Sequence, residues 1–416
     1  MGLILHSVAG LVGLIALAWV LSEDRRHPPW RLVIAGLGLQ IAVAALLLRL
    51  PAAADVFVAL NDAALALEAA TREGTAFVFG YLAGDELPFA LAADDPPFIL
   101  AFQALPLILV VSALSALLYY WRVLPAVVSG LSWVLGRAMG IGGALGLTAA
   151  ANVFAGMTEA PLLIRPYLRT LSRFELMALM VCGMATIAGT MMVLYASILE
   201  PALPNSLGHI MTASLISVPA ALMIGGLMVP PGRTAAPSVR PPPSEASGSL
   251  DAIVRGTRDG LWLLANVVAI LIVTIALVSL INRLLGAVAL PWNDQPASLQ
   301  LLLAPLLQPF MWLMGIPWGE TATAAELMAT KIVLNELIAY STLAELPAAA
   351  LSERSTLILT YSLCGFANLG SLGIMIGGLG SLVPERQSEI VSLGLRALVG
   401  GLLATALTGL LAGLLA

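Results

Sequence analysis

Long apolar runs separated by short polar breaks dominate this chain. Runs at about 2–21, 32–48, 98–121, 175–199, 206–228, 260–281, 356–382 and 391–416 reach or approach the ~20 residues a helix needs to cross a bilayer. Each predicts a spanning helix. The regular ~10-residue alternation of an outer-membrane barrel is missing. Two further apolar regions, Leu124–Pro166 and Leu299–Leu346, are too long for loops and too interrupted by glycine and proline for one clean span. They predict re-entrant hairpins. The expected fold is an all-α polytopic membrane protein with eight transmembrane helices plus two opposed re-entrant hairpins.

The intervening segments are shorter on pattern. DVFVALNDAALALEAA has helical periodicity and predicts an amphipathic helix on the membrane surface. Around it, in Pro51–Pro96, lie eight acids, among them Asp85, Glu86, Asp94 and Asp95, and a single basic residue, Arg72. PPGRTAAPSVRPPPSEASGS, Pro230–Ser249, is a linker whose composition cannot build a core. A short helix carrying Arg255 and Arg258 leads from it into the sixth span.

Composition removes the soluble alternatives. Charged residues are 10% of the chain, against roughly 25% in soluble domains. Cys182 and Cys364 both lie in apolar segments without metal-ligand spacing and are expected to be small core residues. The first apolar run has no basic n-region and no convincing cleavage site, so it reads as a span rather than a signal peptide. His6, His27 and His209 are isolated, which argues against a metal centre.

Basic residues set the orientation. If the loop with Arg25, Arg26 and Arg31 is cytoplasmic, eight spans put Arg122, Arg137, Arg165, Arg169, Arg173, Arg233, Arg240, Arg255, Arg258 and Arg386 on that side too. Arg72, Arg283 and Arg354 fall outside. This asymmetry predicts a multi-pass plasma-membrane protein, the bacterial inner membrane being expected, with both termini outside.

The order hairpin, acidic motif, polar-interrupted span, plain span occurs twice, at Leu124–Met228 and Leu299–Ala416. Flanking charge places the hairpins on opposite faces, an inverted repeat of the kind that binds substrate and ion near the midplane. The expected division is 1–123 as scaffold (spans 1–3 with the interfacial helix) and 124–228 as the first transport repeat. Residues 229–298 hold the linker, short helix and sixth span, and 299–416 the second transport repeat.

The chemistry sits at two acidic stretches. AANVFAGMTEAPLLIRPY carries Glu159 behind Thr158, with Asn152 seven residues upstream. KIVLNELIAY carries Asn335 and Glu336. An ionisable group at membrane depth costs about 2.5–3.5 kcal/mol on insertion scales and marks a substrate or ion path. A carboxylate such as Glu336 can accept from both hydroxyls of a vicinal diol. Asn368 offers donor and acceptor, and Ser371, three residues on, belongs to the same helix face. Unwound backbone carbonyls beside Asn and Thr side chains suit sodium. Structural roles stay open at each position. Glu159 and Glu336 could cap broken helices, Asn152 could be a cap, Thr186 could bond back to its own helix, and Phe366 could be packing. Lys331 reads as the charge partner of a buried acid or as substrate-facing. Glu320 and Glu326 read as solvated or interfacial.

Three motifs resemble those of the concentrative nucleoside transporters. GMTEAPLLIRPY is similar to their G-Q-T/S-E-A/S-P-L motif, KIVLNELIAY to K-x-x-x-N-E-F/L-x-A-Y, and CGFANLGSLGI to G-F-A-N-x-x-S-I-x-I. The resemblance covers about Leu124 to the C-terminus. It implies a homotrimer in which a transport domain moves like an elevator against a scaffold. By the resemblance, Glu336, Asn368 and Ser371 hold the ribose and Phe366 packs near the sugar. Met157, Thr158 and Glu159 face the base. Asn152, the Ala155 carbonyl, Thr186 and the Ile187 carbonyl hold sodium. Met157 stands where many members have glutamine, and Gly370 where serine is common. Methionine offers a soft apolar contact in place of hydrogen bonds.

The expected function is an ion-coupled symporter importing nucleosides, with sodium as coupling ion and protons as the alternative. An elevator carrier for another small polar solute is the runner-up; an organic acid would want midplane arginine, whereas the midplane charges here are mostly acidic. An intramembrane enzyme would need a nucleophile with its base, paired aspartates or a metal triad, none of which the spans carry. No cofactor beyond the coupling ion and no nucleic-acid partner is expected; the partners are the nucleoside, the lipid bilayer and further copies of the chain.

Overall fold

The structure is a computed structural model and describes residues 2–49, 51–83, 99–141, 143–200, 202–232, 241–242, 244–286, 296–347 and 349–415. Asp85, Glu86, Asp94 and Asp95, and linker residues 233–240 and 243, lie outside the described residues. The described chain is helical, without strands. In order, the helices are α1 (Gly2–Val20), α2 (Trp30–Arg49), α3 (Pro51–Phe79), α4 (Leu100–Gln103), α5 (Leu107–Tyr120), α6 (Val123–Met139), α7 (Gly143–Ala151), α8 (Arg173–Ala185) and α9 (Gly189–Leu199). Then come α10 (Ser206–Met228), α11 (Ser249–Leu285), α12 (Leu299–Leu313), α13 (Thr321–Val333), α14 (Glu336–Glu345), α15 (Glu353–Leu363), α16 (Leu369–Leu382) and α17 (Gln387–Leu415).

Among the described residues, six stretches are long and apolar enough to cross a membrane: 30–49, 100–120, 173–199, 206–228, 249–285 and 384–415. The other two expected spans correspond to α1 and to the α15–α16 pair. The short helix expected before the sixth span is continuous with it, as α11.

Each interrupted region is more finely divided than the sequence indicated. The first splits into α6, which ends at Gly140 (φ 68°), then α7, a turn at 152–159, and a 3₁₀ segment at Ala160–Tyr167. Pro161, near the start of that segment, fits a helix entry because its missing N–H would lack a partner there anyway. The second splits into α12, then α13 and α14 joined by Leu334 and Asn335. The pattern of a long helix, two short arms, a broken span and a plain span therefore occurs twice.

Two spans are broken in mid-course. Thr186–Ala188, between α8 and α9, is extended because β-branched Thr and Ile flanked by small residues hold a helix weakly. Cys364–Asn368 separates α15 from α16 and contains Gly365 at φ 147°, a conformation open to glycine. A Cβ on Gly365 would lie 2.8 Å from the Met184 carbonyl oxygen. The two breaks thus cross backbone against backbone.

Packing separates two groups of helices. α1 and α2 lie on α10 and α17, whereas α5 runs along α11. At that second seam Gly256 and Gly260 admit Ser112 and Ala113; a Cβ on Gly260 would lie 2.8 Å from that of Ser112. Small residues let backbones approach where lipid offers no hydrophobic drive. On the α2 side, buried Gln40 donates to Thr408 Oγ1 at 3.2 Å, and Thr408 also bonds Ser217 at 2.9 Å.

An ionic cluster ties the ends of the first group together. Glu23, in the α1–α2 loop, accepts from Arg173 at 2.8 Å and from Arg396 at 2.6 Å. The Arg173 hydrogen bond holds the Glu23 carboxyl below its ordinary range. The cluster is therefore complete above that range and is lost only as pH falls through the lowered value.

Candidate substrate and ion site

Two helix N-termini meet at the centre of the second repeat. Asn335 is extended and its side chain accepts the Ile338 N–H at 3.0 Å, so Glu336 opens α14. Asn368 caps α16 in the same way, accepting the Ser371 N–H at 2.7 Å. Asn368 was expected to share a helix face with Ser371; instead it precedes the helix, because its side chain supplies the partner that a first-turn N–H lacks. Its Nδ2 then donates to Glu336 Oε2 at 2.8 Å. The other carboxylate oxygen, Oε1, accepts from the Tyr195 hydroxyl at 2.6 Å. Glu336 is 4% exposed. Two charge-assisted hydrogen bonds and the positive end of α14 offset the cost of burying it.

The first hairpin supplies the facing wall. Its turn is closed by the Gly156 N–H, which donates to Glu159 Oε2 at 3.2 Å. The tip is seated in glycine notches. A Cβ on Gly183 would lie 2.9 Å from that of Met157, and one on Gly378 would lie 2.7 Å from the Thr158 methyl. Between the hairpin tips is a cavity of about 150 Å³. Met157, Thr158, Glu159, Glu336, Phe366, Asn368 and Ser371 all line it. Leu263, Val267 and Ile270 of α11 close the remaining side with an apolar surface. Gly370 also lines the cavity, and a Cβ there would make only ordinary contacts, so the space a serine would fill is present.

Sequence reasoning missed Tyr195 and the α11 wall. A tyrosine inside an apolar span was the available signal, since a buried phenol needs a hydrogen-bond partner. The α11 residues carried no signal, because an apolar side chain facing a cavity looks the same in sequence as one facing lipid.

Beside the cavity, the first-hairpin turn meets the first break. The Gly189 N–H donates to the Phe154 carbonyl at 2.9 Å. Asn152 is 1% exposed, and among the described residues neither its Oδ1 nor its Nδ2 has a hydrogen-bond partner. It is therefore no helix cap. Thr186 donates to the Cys182 carbonyl at 2.8 Å, the back-bond the sequence allowed, and keeps lone pairs to offer. Among the described residues no N–H donates to the Ala155 or Ile187 carbonyl. An orphaned amide oxygen, a hydroxyl and two free carbonyls at one junction are the donor set a hard monovalent cation takes.

Lys331 makes its direct bond to a carbonyl. It is fully buried, and its Nζ donates to the Ser362 carbonyl at 2.7 Å. It closes the last turn of α13 and meets the C-terminal end of α15. Its direct bond is thus to helix ends whose last carbonyls lack partners, while the buried Glu336 carboxylate attracts it through space without a direct ion pair, in keeping with the charge-partner reading. Glu320 accepts from Ser352 at 3.0 Å, away from the cavity. Among the described residues no cluster of His, Cys, Asp and Glu could hold a metal.

A helical bundle with two broken spans, two hairpin tips and between them a cavity that sets a few polar groups in apolar walls defines a membrane carrier for a small polar solute. Comparison with known proteins makes the class specific. The family patterns described as Na+ dependent nucleoside transporter N-terminus and C-terminus match residues 9–82 and 209–413, and the Nucleoside recognition gate pattern matches 101–202. The nucleoside permease NupC of Helicobacter pylori is 34% identical over 99% of this chain and 97% of its own length. The sodium/nucleoside cotransporter 2 of Rattus norvegicus is 33% identical over 99% of this chain and 62% of its own. The solved structure of CNTnw in an inward-facing substrate-bound state superposes with a TM-score of 0.89 at 33% identity, covering 99% of this chain and 98% of that one. A variant of CNTnw in an outward-facing state gives 0.90 at 32% identity, over 100% of this chain and 98% of that one. The chain belongs to the Na+-dependent nucleoside transporter family, whose relatives carry nucleosides rather than transform them.

Proposed function

We propose that the protein is a sodium-coupled symporter that imports nucleosides by elevator-type alternating access. The observation that carries this reading is the Glu336 carboxylate. Each of its oxygens accepts one hydrogen bond from the protein, which leaves one acceptor site on each for a vicinal diol. Ribose hydroxyls dock there, with Asn368 and Ser371 beside them and Phe366 against the sugar. Met157, Thr158 and Glu159 take the base. Sodium sits on Asn152, the Ala155 carbonyl, Thr186 and the Ile187 carbonyl.

The elevator reading rests on the apolar wall of α11, a surface without hydrogen bonds that hairpin tips can slide past. The fixed body in this reading is α5 with α11, which also supplies the contacts of a homotrimer. The sequence grouped α1 and α2 with α5 in residues 1–123. We place them in the moving body, because a sliding boundary would have to break the buried Gln40–Thr408 bond. Both termini lie outside, as the arginine distribution suggests.

Uptake of radiolabelled uridine and adenosine into proteoliposomes tests the proposal. Accumulation should require an inward sodium gradient and persist when the proton gradient is collapsed. Dependence on protons instead would favour the proton-coupled alternative. Absence of gradient-driven uptake of any nucleoside would remove the reading.

Met157 sets base preference in this account. Met157→Gln is expected to reorder a competition panel of purine and pyrimidine nucleosides by about tenfold, one good hydrogen bond being worth roughly 1.4 kcal/mol. Maximal rate should change far less. An unchanged ranking would move the base away from this side chain.

A further inference from the structure

We propose that Tyr195 is the positioning residue through which cation binding sets the sugar-binding carboxylate. The inference rests on the sodium-coupled reading above and deepens it. Among the described residues Tyr195 has no hydrogen bond to a candidate cation ligand, and it is not one of the ribose-binding groups. Its hydroxyl has one partner, Glu336 Oε1, at 2.6 Å. Its ring is fully buried and lies 5.3 Å, centroid to centroid, from Tyr340, whose own hydroxyl is committed to the Thr360 carbonyl at 2.8 Å. The phenol therefore has a fixed place, and that place is given by α9.

α9 begins at the break that carries the candidate cation ligands. Thr186 and Ile187 lie directly before it, and its first residue, Gly189, donates to Phe154 in the turn that holds Asn152 and Ala155. Ala188, Met191 and Tyr195 all face the cavity, at helical spacing along one side of α9. From Ala188 to Tyr195 is seven residues, about 10.5 Å of rigid helix. A cation that draws the Ile187 carbonyl and the Asn152 side chain together fixes the start of this lever. The far end then fixes the plane of the Glu336 carboxylate. Without the cation, the break has a backbone carbonyl and a buried amide unsatisfied, and the lever is free to tilt. The remaining bond, from Asn368, is not carried by α9; it comes from the second break, whose Gly365 packs on Met184 and Ala185. The geometry thus gives Glu336 one hydrogen bond carried on this lever and one that is not.

The expected signature is thermodynamic linkage. Coupling between two sites multiplies affinity by about 5–150-fold, and the factor is the same in both directions. Uridine binding to the purified full-length protein, measured by calorimetry in sodium and in choline, gives the factor; adenosine serves if uridine does not bind. Sodium binding with and without nucleoside gives its reciprocal. In wild type both ratios should exceed about fivefold. In Tyr195→Phe both should fall to about one, with sodium affinity in the absence of nucleoside unchanged. A purely structural role would weaken both ligands and leave the ratio intact. Tyr340→Phe, which removes the neighbouring hydroxyl but not the bond to Glu336, should retain the wild-type ratio.

A second variant covers failure of the first to fold. Placing 3,5-difluorotyrosine at position 195 keeps the ring and alters the donor strength of the hydroxyl, so its ratio must differ from wild type. A wild-type ratio in either substituted protein overturns the inference. Binding of neither nucleoside to wild type, or binding without any sodium dependence, instead overturns the sodium-coupled reading on which it stands.

Discussion

Glu336→Gln is expected to reduce nucleoside transport by at least about 100-fold in kcat/KM while leaving the elution volume and helix content unchanged. Hydrogen bonds to a charged group contribute about 1.5–3 kcal/mol each, and two ribose hydroxyls would lose that assistance together. The substitution preserves shape but puts an amide nitrogen where one oxygen now accepts. Tyr195 donates to one oxygen and Asn368 to the other; a nitrogen towards Asn368 sets a donor against a donor, and one towards Tyr195 makes the phenol oxygen accept and leaves its O–H without a partner. One of two buried partners is then left unsatisfied, a further cost of about 1–3 kcal/mol. Uptake kinetics on the reconstituted variant, with gel filtration as the control for assembly, measure this. Wild-type kinetics would show that the sugar does not dock on Glu336.

Asn152→Ala is expected to raise the half-saturating sodium concentration by about tenfold or more. The residue is buried without a hydrogen-bond partner, so its removal breaks no bond within the protein. The loss of one hard oxygen ligand corresponds to about 1.4 kcal/mol or more. Maximal uptake at saturating sodium should recover most of the wild-type rate, because the ribose contacts are untouched. The two substitutions therefore separate. One changes substrate dependence at all sodium concentrations, the other changes the sodium titration. A sodium titration unmoved by Asn152→Ala would place the coupling ion elsewhere.

The hydropathy pattern carried most of the architecture. Bilayer thickness dictates run length, and no other solvent makes that demand so directly. The arginine count and the repeated order of motifs pointed to two related halves, and the structure repeats that order of elements. The interiors of the interrupted regions were less legible. Leu124–Pro166 reads as one hairpin because apolar composition is continuous across Gly140 and Ile141, where the backbone in fact turns from α6 towards α7. The placement of α1 and α2 was also hidden. Their apolar faces have no sequence feature that prefers α10 and α17 over α5, and the choice is made by shape at Gly36, where a Cβ would lie 2.8 Å from that of Met223.

At the site, the sequence by itself singled out the polar residues that line the cavity, though not Tyr195 or the α11 wall. Carboxylates and amides are costly in hydrocarbon, so the few retained there, at glycine- and proline-broken helices, had to face one another across a cavity. The tertiary structure decided how they are held. Glu336 is oriented by Tyr195 and Asn368, two side chains 141 and 32 residues away from it along the chain. Lys331 donates to the carbonyl of Ser362 and reaches the Glu336 carboxylate only through space. Hydrogen bonds of that range depend on how two crossing breaks pack, and packing is a property of volumes in contact that no local pattern of residues encodes.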